Sequence, residues 1–78
     1  MTSKYIYNGM DITLDVYEKL RAVIELIASK EKISFDEAYA SFAKTRTYWC
    51  VQNPQTVMWS ESAEFIVDEY YREKGFDV

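Results

Sequence analysis

The sequence predicts an all-α fold, in which a compact three-helix bundle follows a short extended N-terminal arm or hairpin. Hydrophobic residues recur at helical spacing in three stretches, and capping signals stand at their ends. Only two glycines and one proline interrupt the 78 residues. A chain of this length forms one domain. We therefore expect an arm over residues 1–12 and a single three-helix domain over residues 13–78.

The first helix is predicted over residues 14–30. Thr13 is a candidate N-cap, and Asp15 and Glu18 lie in the first turn, where the helix dipole favours acidic side chains. Hydrophobic residues spaced four, three and four apart define its buried face. They are Val16, Leu20, Val23 and Ile27.

The second helix is predicted to begin at Ser34 and to fade over residues 45–48. Ser34 and Glu37 have the spacing of a capping box, in which a hydroxyl and a carboxylate satisfy two backbone N–H groups reciprocally. The hydrophobic residues that follow share one helical face. They are Phe35, Ala38, Tyr39 and Phe42.

The third helix is predicted over residues 57–74. Asn53-Pro54 is typical of an N-cap followed by proline at the first helical position, and Thr56 is a competing start. Gly75 is a good residue to end the helix. Its expected buried face carries Trp59, Ala63, Ile66 and Tyr70.

Residues 5–12 predict two short strands around a type I′ turn at Asn8-Gly9. An isolated hairpin is marginally stable in water. We therefore expect this arm to pack on the helices or to pair with another chain.

All of the net charge of −4 lies in the last third of the chain. Residues 1–56 carry seven acidic and seven basic side chains, whereas residues 57–78 carry six acidic and two basic ones. Three of these acids, Glu61, Glu64 and Asp68, share one face if the segment is helical. An acidic face disfavours nucleic acid as a partner and predicts recognition of a basic protein surface. The alternative is a solvated face that only keeps the protein soluble.

Tyr48, Trp49 and Trp59 are the aromatic candidates for partner binding. Tryptophan and tyrosine are over-represented among interface residues that carry most of the binding energy. The alternative is that these rings anchor the connection between the second and third helices against the core.

The sequence predicts neither an enzyme nor a cofactor or metal site. The chain has no histidine, which removes the commonest general base and most transition-metal sites. Glu64 and Asp68 are the remaining acid–base or metal candidates, and no third ligand accompanies them. One cysteine permits no internal disulfide, and neither a signal peptide nor a membrane-spanning run is apparent, so we expect a cytoplasmic location.

Two further functions remain open at this stage. The arm followed by two helices is similar to the layout of ribbon-helix-helix repressors, which would make the chain an arm-paired dimer that binds DNA. The isoelectric point near 4.7 disfavours that reading, because phosphate neutralisation supplies most non-specific DNA affinity. The chain could also be a structural protein with no separable site. A homodimer is compatible with each of these functions.

From Ser34 onward the sequence resembles a family of small bacterial proteins of unassigned activity. The resemblance covers the last 45 or so residues and rests on Glu37-Ala38-Tyr39, Thr47-Tyr48, Thr56, Trp59, Ser62 and Phe65-Ile66-Val67-Asp68. Relatives of this kind are often encoded beside toxins similar to ADP-ribosyltransferases. The resemblance implies an antitoxin or accessory binding protein and no catalytic residue. The chain departs from the pattern at Trp59, where some relatives have histidine, and residues 5–9 have no counterpart.

Overall fold

The computed structural model describes residues 5–75, which form four α-helices and a two-stranded hairpin. The prediction of a helical fold with an N-terminal hairpin is confirmed, and the prediction of three helices is wrong. The elements are β1 (Ile6–Tyr7), β2 (Met10–Asp11), α1 (Thr13–Glu31), α2 (Phe35–Phe42), α3 (Arg46–Gln52) and α4 (Ala63–Glu73). Two 3₁₀ turns, Pro54–Thr56 and Met58–Ser60, connect α3 to α4.

The core forms where α1 packs against α2 and α4. The hydrophobic face predicted for α1 is buried, and Ile24 joins it. Phe42 of α2 lies with its ring edge-to-face on Tyr70 of α4, at 5.5 Å between ring centroids. The fully buried side chains drawn from these helices and α3 include Val16, Val23, Ile27, Phe42, Val51, Ile66 and Tyr70.

The hairpin adopts the predicted turn and contributes to the same core. Asn8 and Gly9 both have positive φ, at 52° and 79°, as a type I′ turn requires. Tyr7 pairs with Met10 in the antiparallel ladder. Tyr5 and Ile12, at the two ends of the hairpin, are buried and joined by a 2.8 Å hydrogen bond from Ile12 N to the Tyr5 carbonyl.

The break between α2 and α3 is made by Thr45. Its hydroxyl donates to the Phe42 carbonyl at 2.7 Å and accepts from Tyr48 N at 3.2 Å. One side chain therefore ends α2 and caps α3. The capping box at the start of α2 is confirmed, with Glu37 N donating to Ser34 Oγ and Ser34 N donating to Glu37 Oε1.

The predicted third helix starts too early, because α4 begins only at Ala63 with Ser62 as its N-cap. Asn53 and Pro54 do form a cap followed by proline, but they begin the first 3₁₀ turn. Val57 then takes a left-handed conformation, with φ of 51°, which a β-branched residue rarely adopts. That conformation separates the two 3₁₀ turns, so one continuous helix cannot pass through Val57.

Candidate functional site

The three predicted acidic residues lie on the surface, but only two of them are helical. Glu61 has extended backbone angles and precedes α4, whereas Glu64 and Asp68 lie one turn apart on it. The prediction of one helical face holding all three is therefore wrong. Each is exposed, and none forms an ion pair within residues 5–75.

The fold brings two further acids, Asp15 and Glu18, into one cleft with Ser60, the residue that precedes Glu61. They lie on the first turns of α1 and face the second 3₁₀ turn across a surface cleft of about 400 Å³. We call this the Trp59 cleft; its lining residues are Asp15, Glu18, Lys19, Ala22, Trp59 and Ser60. Glu61 follows Ser60 directly in the chain. The cleft and its edge therefore carry three carboxylates from two separate parts of the chain and one lysine.

Trp59 is held in the cleft by two contacts. Its indole Nε1 donates to the Pro54 carbonyl at 3.1 Å, and its ring lies edge-to-face on Tyr7 at 5.7 Å between centroids. Thr56 stabilises this connection, because its hydroxyl lies 2.6 Å from the Cys50 carbonyl and 2.9 Å from the Asn53 carbonyl. The half-buried ring is thus fixed in orientation by contacts within the protein.

Tyr48 and Trp49 lie on α3, away from the Trp59 cleft. Tyr48 is half-buried, with its ring edge-to-face on Phe42 and on Tyr39. Burial and the hydrogen bond with Tyr39 raise the pKa of the Tyr48 hydroxyl above its ordinary value. Trp49 is 59% exposed and lines a different pocket. The predicted aromatic trio is therefore divided between two places on the surface.

A third cleft lies between α3 and α4, and its two acidic side chains, Glu69 and Glu73, have partners within the protein. Glu73 accepts hydrogen bonds from Arg46 N at 2.6 Å, Thr47 N at 2.8 Å and Thr47 Oγ1 at 2.7 Å. Glu69 pairs with Arg72. The hydrogen bonds to Glu73 attach α3 to α4, whereas the Glu69–Arg72 pair lies within α4, so this cleft has a structural role.

The electrostatics of Glu73 reflect that role. Partial burial alone would raise the pKa of this carboxyl, but its hydrogen bonds with Arg46 and Thr47 and the charge of Arg46 bring it below the ordinary value. The charged form is therefore the one that the folded state favours.

Across residues 5–75 there is no group of three acidic or cysteine side chains placed to hold a metal ion. None of the helices in that range is long and apolar enough to cross a bilayer.

Comparison with known proteins gives no relative: no family model, no curated protein and no solved structure matches the chain.

The sequence did not identify Asp15 and Glu18 as site residues, because the acidic and basic side chains of residues 1–56 cancel in net charge. The usable signal was their spacing of three on the side of α1 opposite its hydrophobic face. What could not be read from the chain was that a left-handed Val57 would turn Trp59 and Ser60 toward that side.

Proposed function

We propose that this protein is a non-enzymatic binding module whose Trp59 cleft recognises a basic side chain on a partner protein. The observation that carries the proposal is the cleft itself, where Asp15, Glu18 and Trp59 line one concave surface and Glu61 adjoins it. Among the described residues, neither Asp15 nor Glu18 has an ion-pair partner.

The chemistry of the cleft suits an arginine or lysine of the partner. Its two carboxylates provide charge-assisted hydrogen-bond acceptors, and an indole ring attracts a cation placed over its face. Lys19 also lines the cleft and offsets part of the negative charge. A guanidinium or ammonium is therefore favoured over an anionic or apolar group.

Exposed acids on α4 and just before it would extend the recognition surface. Glu61, Glu64 and Asp68 are all exposed, and a field of like charges accelerates association with an oppositely charged partner. Their contribution is expected in the association rate, with a strong dependence on salt.

The resemblance to proteins encoded beside toxins suggests which partner to test first. If the chain acts as an antitoxin or accessory component, a toxin with a basic surface is the expected ligand. This part of the proposal rests on the sequence resemblance alone.

The proposal is tested by affinity capture with the tagged full-length chain at moderate salt. We expect the wild type to retain a partner from the lysate of its source organism. The variant Asp15→Asn/Glu18→Gln should lose that partner, and Glu61→Gln/Glu64→Gln/Asp68→Asn should retain it more weakly.

A matched control keeps the change in net charge constant. Asp36→Asn/Glu25→Gln also removes two negative charges, from exposed positions that do not line the cleft. Equal loss of the partner in both double variants would contradict a local site. Full retention of the partner by Asp15→Asn/Glu18→Gln would contradict the proposal outright.

A further inference from the structure

Val57, between the two 3₁₀ turns, adopts a conformation that its own side chain disfavours. Its φ of 51° and ψ of 16° lie in the left-handed region, although valine is β-branched. The side chain is 37% exposed, so burial of its apolar surface offsets little of the cost. Strained backbone of this kind persists only where neighbouring contacts hold it, and it is concentrated at functional sites.

The hydroxyl of Thr56 makes contacts on both sides of Val57. It lies 2.6 Å from the Cys50 carbonyl and 2.9 Å from the Asn53 carbonyl, and its single proton is shared between these two acceptors. Its oxygen also accepts a hydrogen bond from Met58 N at 3.2 Å. One side chain therefore joins the end of α3 and the first 3₁₀ turn to the start of the second.

The arrangement of these turns decides where Trp59 lies. The periodicity of residues 57–74 would place Trp59 on one helical face with Ala63 and Ile66, as a continuation of α4. In the structure, Trp59 instead lies in a turn that ends at the extended Glu61, and its ring lines the cleft beside α1. The segment thus gives up a helical pattern for a strained one, and the strained one builds the cleft.

We infer that Thr56 is a positioning residue for the Trp59 cleft. Its hydroxyl holds Val57 in the left-handed conformation, and the second turn then presents Trp59 to Asp15 and Glu18. The inference rests on the proposed function for what the cleft binds, whereas the placement of Trp59 is a property of the free protein.

Hydrogen exchange of the Trp59 indole N–H, followed by nuclear magnetic resonance of the full, ¹⁵N-labelled chain, tests this placement. That group donates to the Pro54 carbonyl across Val57, so it exchanges slowly only while the turns keep their arrangement. Thr56→Val removes the hydroxyl with little change of shape. We expect exchange to quicken by about fivefold or more, as the loss of one hydrogen bond would produce. The amide signal of Val23, in the middle of α1, should stay in place and show that the core is retained.

Three further variants separate positioning from general stability. Thr56→Ser keeps the hydroxyl, and its indole should exchange like that of the wild type. Thr56→Val/Val57→Gly should recover most of the protection, because glycine adopts the left-handed conformation without steric cost. Thr47→Val makes the same chemical change on α3, where it removes a hydrogen bond to Glu73, and it should leave the exchange of Trp59 unchanged.

Titration with a capped hexa-arginine peptide measures what the placement of Trp59 contributes to binding. Thr56→Val should bind the peptide severalfold more weakly than the wild type, whereas Thr56→Ser and Thr47→Val should bind it equally well. If the wild type itself does not bind, the proposed function fails, and the exchange measurement still decides the placement of Trp59.

Three results would overturn the inference. The first is wild-type exchange of the Trp59 indole in Thr56→Val. The second is equally rapid exchange in Thr47→Val, and the third is a failure of Val57→Gly to rescue Thr56→Val. In the last two cases Thr56 would act only through general stability.

Discussion

The helices α1 and α3 are held in the same fold by different means. The nineteen residues of α1 bury five hydrophobic side chains, whereas the seven residues of α3 bury only Thr47 and Val51. What α3 lacks in apolar burial is supplied by polar contacts at its N-terminus, from Thr45 and from Glu73 of α4. Hydrophobic periodicity therefore identifies α1 from sequence and gives no sign of α3.

The largest expected effect on stability comes from a substitution in α1, the helix held by apolar burial. Leu20→Ala should lower the free energy of unfolding by about 2–5 kcal/mol, because it leaves a cavity in the face that α1 buries. That is a large part of the roughly 5–15 kcal/mol that stabilises a typical domain. Urea unfolding monitored by circular dichroism measures the change.

The same helix provides the control for that measurement. Leu14→Ala makes the same chemical change at a side chain that is 69% exposed, and it should cost little. A loss under about 1 kcal/mol for Leu20→Ala would show that α1 is not held by apolar burial.

The next effect is on the polar attachment of α3. Glu73→Gln removes the charge from three hydrogen bonds to α3, and we expect a loss of about 1–2 kcal/mol at neutral pH. Solvent around this exposed carboxylate keeps the value at the low end for charged hydrogen bonds. Glu64→Gln, an exposed carboxylate without such contacts, should change stability by less than about 0.5 kcal/mol.

The contribution of Glu73 should also depend on pH. Because its folded-state pKa lies below the ordinary value of 4.5, the stabilisation is complete above that pH and is lost as the pH falls through the lowered pKa. The difference in stability between the wild type and Glu73→Gln should therefore shrink as the pH falls below 4.5. A difference that stays constant with pH would contradict this account of the attachment.

A smaller effect is expected at the cap shared by α2 and α3. Thr45→Ala removes the hydroxyl that accepts from Tyr48 N, and a lost N-cap costs about 1 kcal/mol. Thr45→Ser keeps the hydroxyl and should stay close to the wild type in thermal unfolding. Equal stability of the alanine and serine variants would mean that the cap does not hold α3.

The smallest effect is expected on the outer face of α3. Trp49→Ala should change the free energy of unfolding by no more than about 0.5 kcal/mol, because the ring is 59% exposed. Trp59→Ala should cost clearly more, since it removes the Tyr7 contact and the hydrogen bond to Pro54. Similar losses for the two variants in chemical denaturation would make Trp49 a structural residue.

The sequence was sufficient wherever local chemistry decides the structure. The buried face of α1, the Ser34–Glu37 capping box and the Asn8-Gly9 turn each depend on residues a few positions apart. The starts of α3 and α4 were not predictable in the same way. Thr45 and Ser62 cap them locally, but the starts also depend on Glu73, which reaches α3 from far along the chain, and on Val57, whose left-handed conformation opposes its own preference.

In the candidate site, too, local features were predictable from the sequence and long-range contacts were not. Glu64 and Asp68 were identified as exposed acids on one helix, and Trp49 was identified as a candidate aromatic residue. The pairing of Trp59 with Asp15 and Glu18 depends on the packing of the 3₁₀ turns against α1, which no local pattern specifies.

The most direct test of the account follows the two tryptophan indole signals while a capped hexa-arginine peptide is added to the ¹⁵N-labelled protein. We expect the Trp59 indole and the backbone amides of Asp15 and Glu18 to shift, with the shift weakening as salt is raised, while the Trp49 indole stays in place. Equal movement of both indoles, or a Trp59 signal that does not move at low salt, would contradict a cation site in the Trp59 cleft.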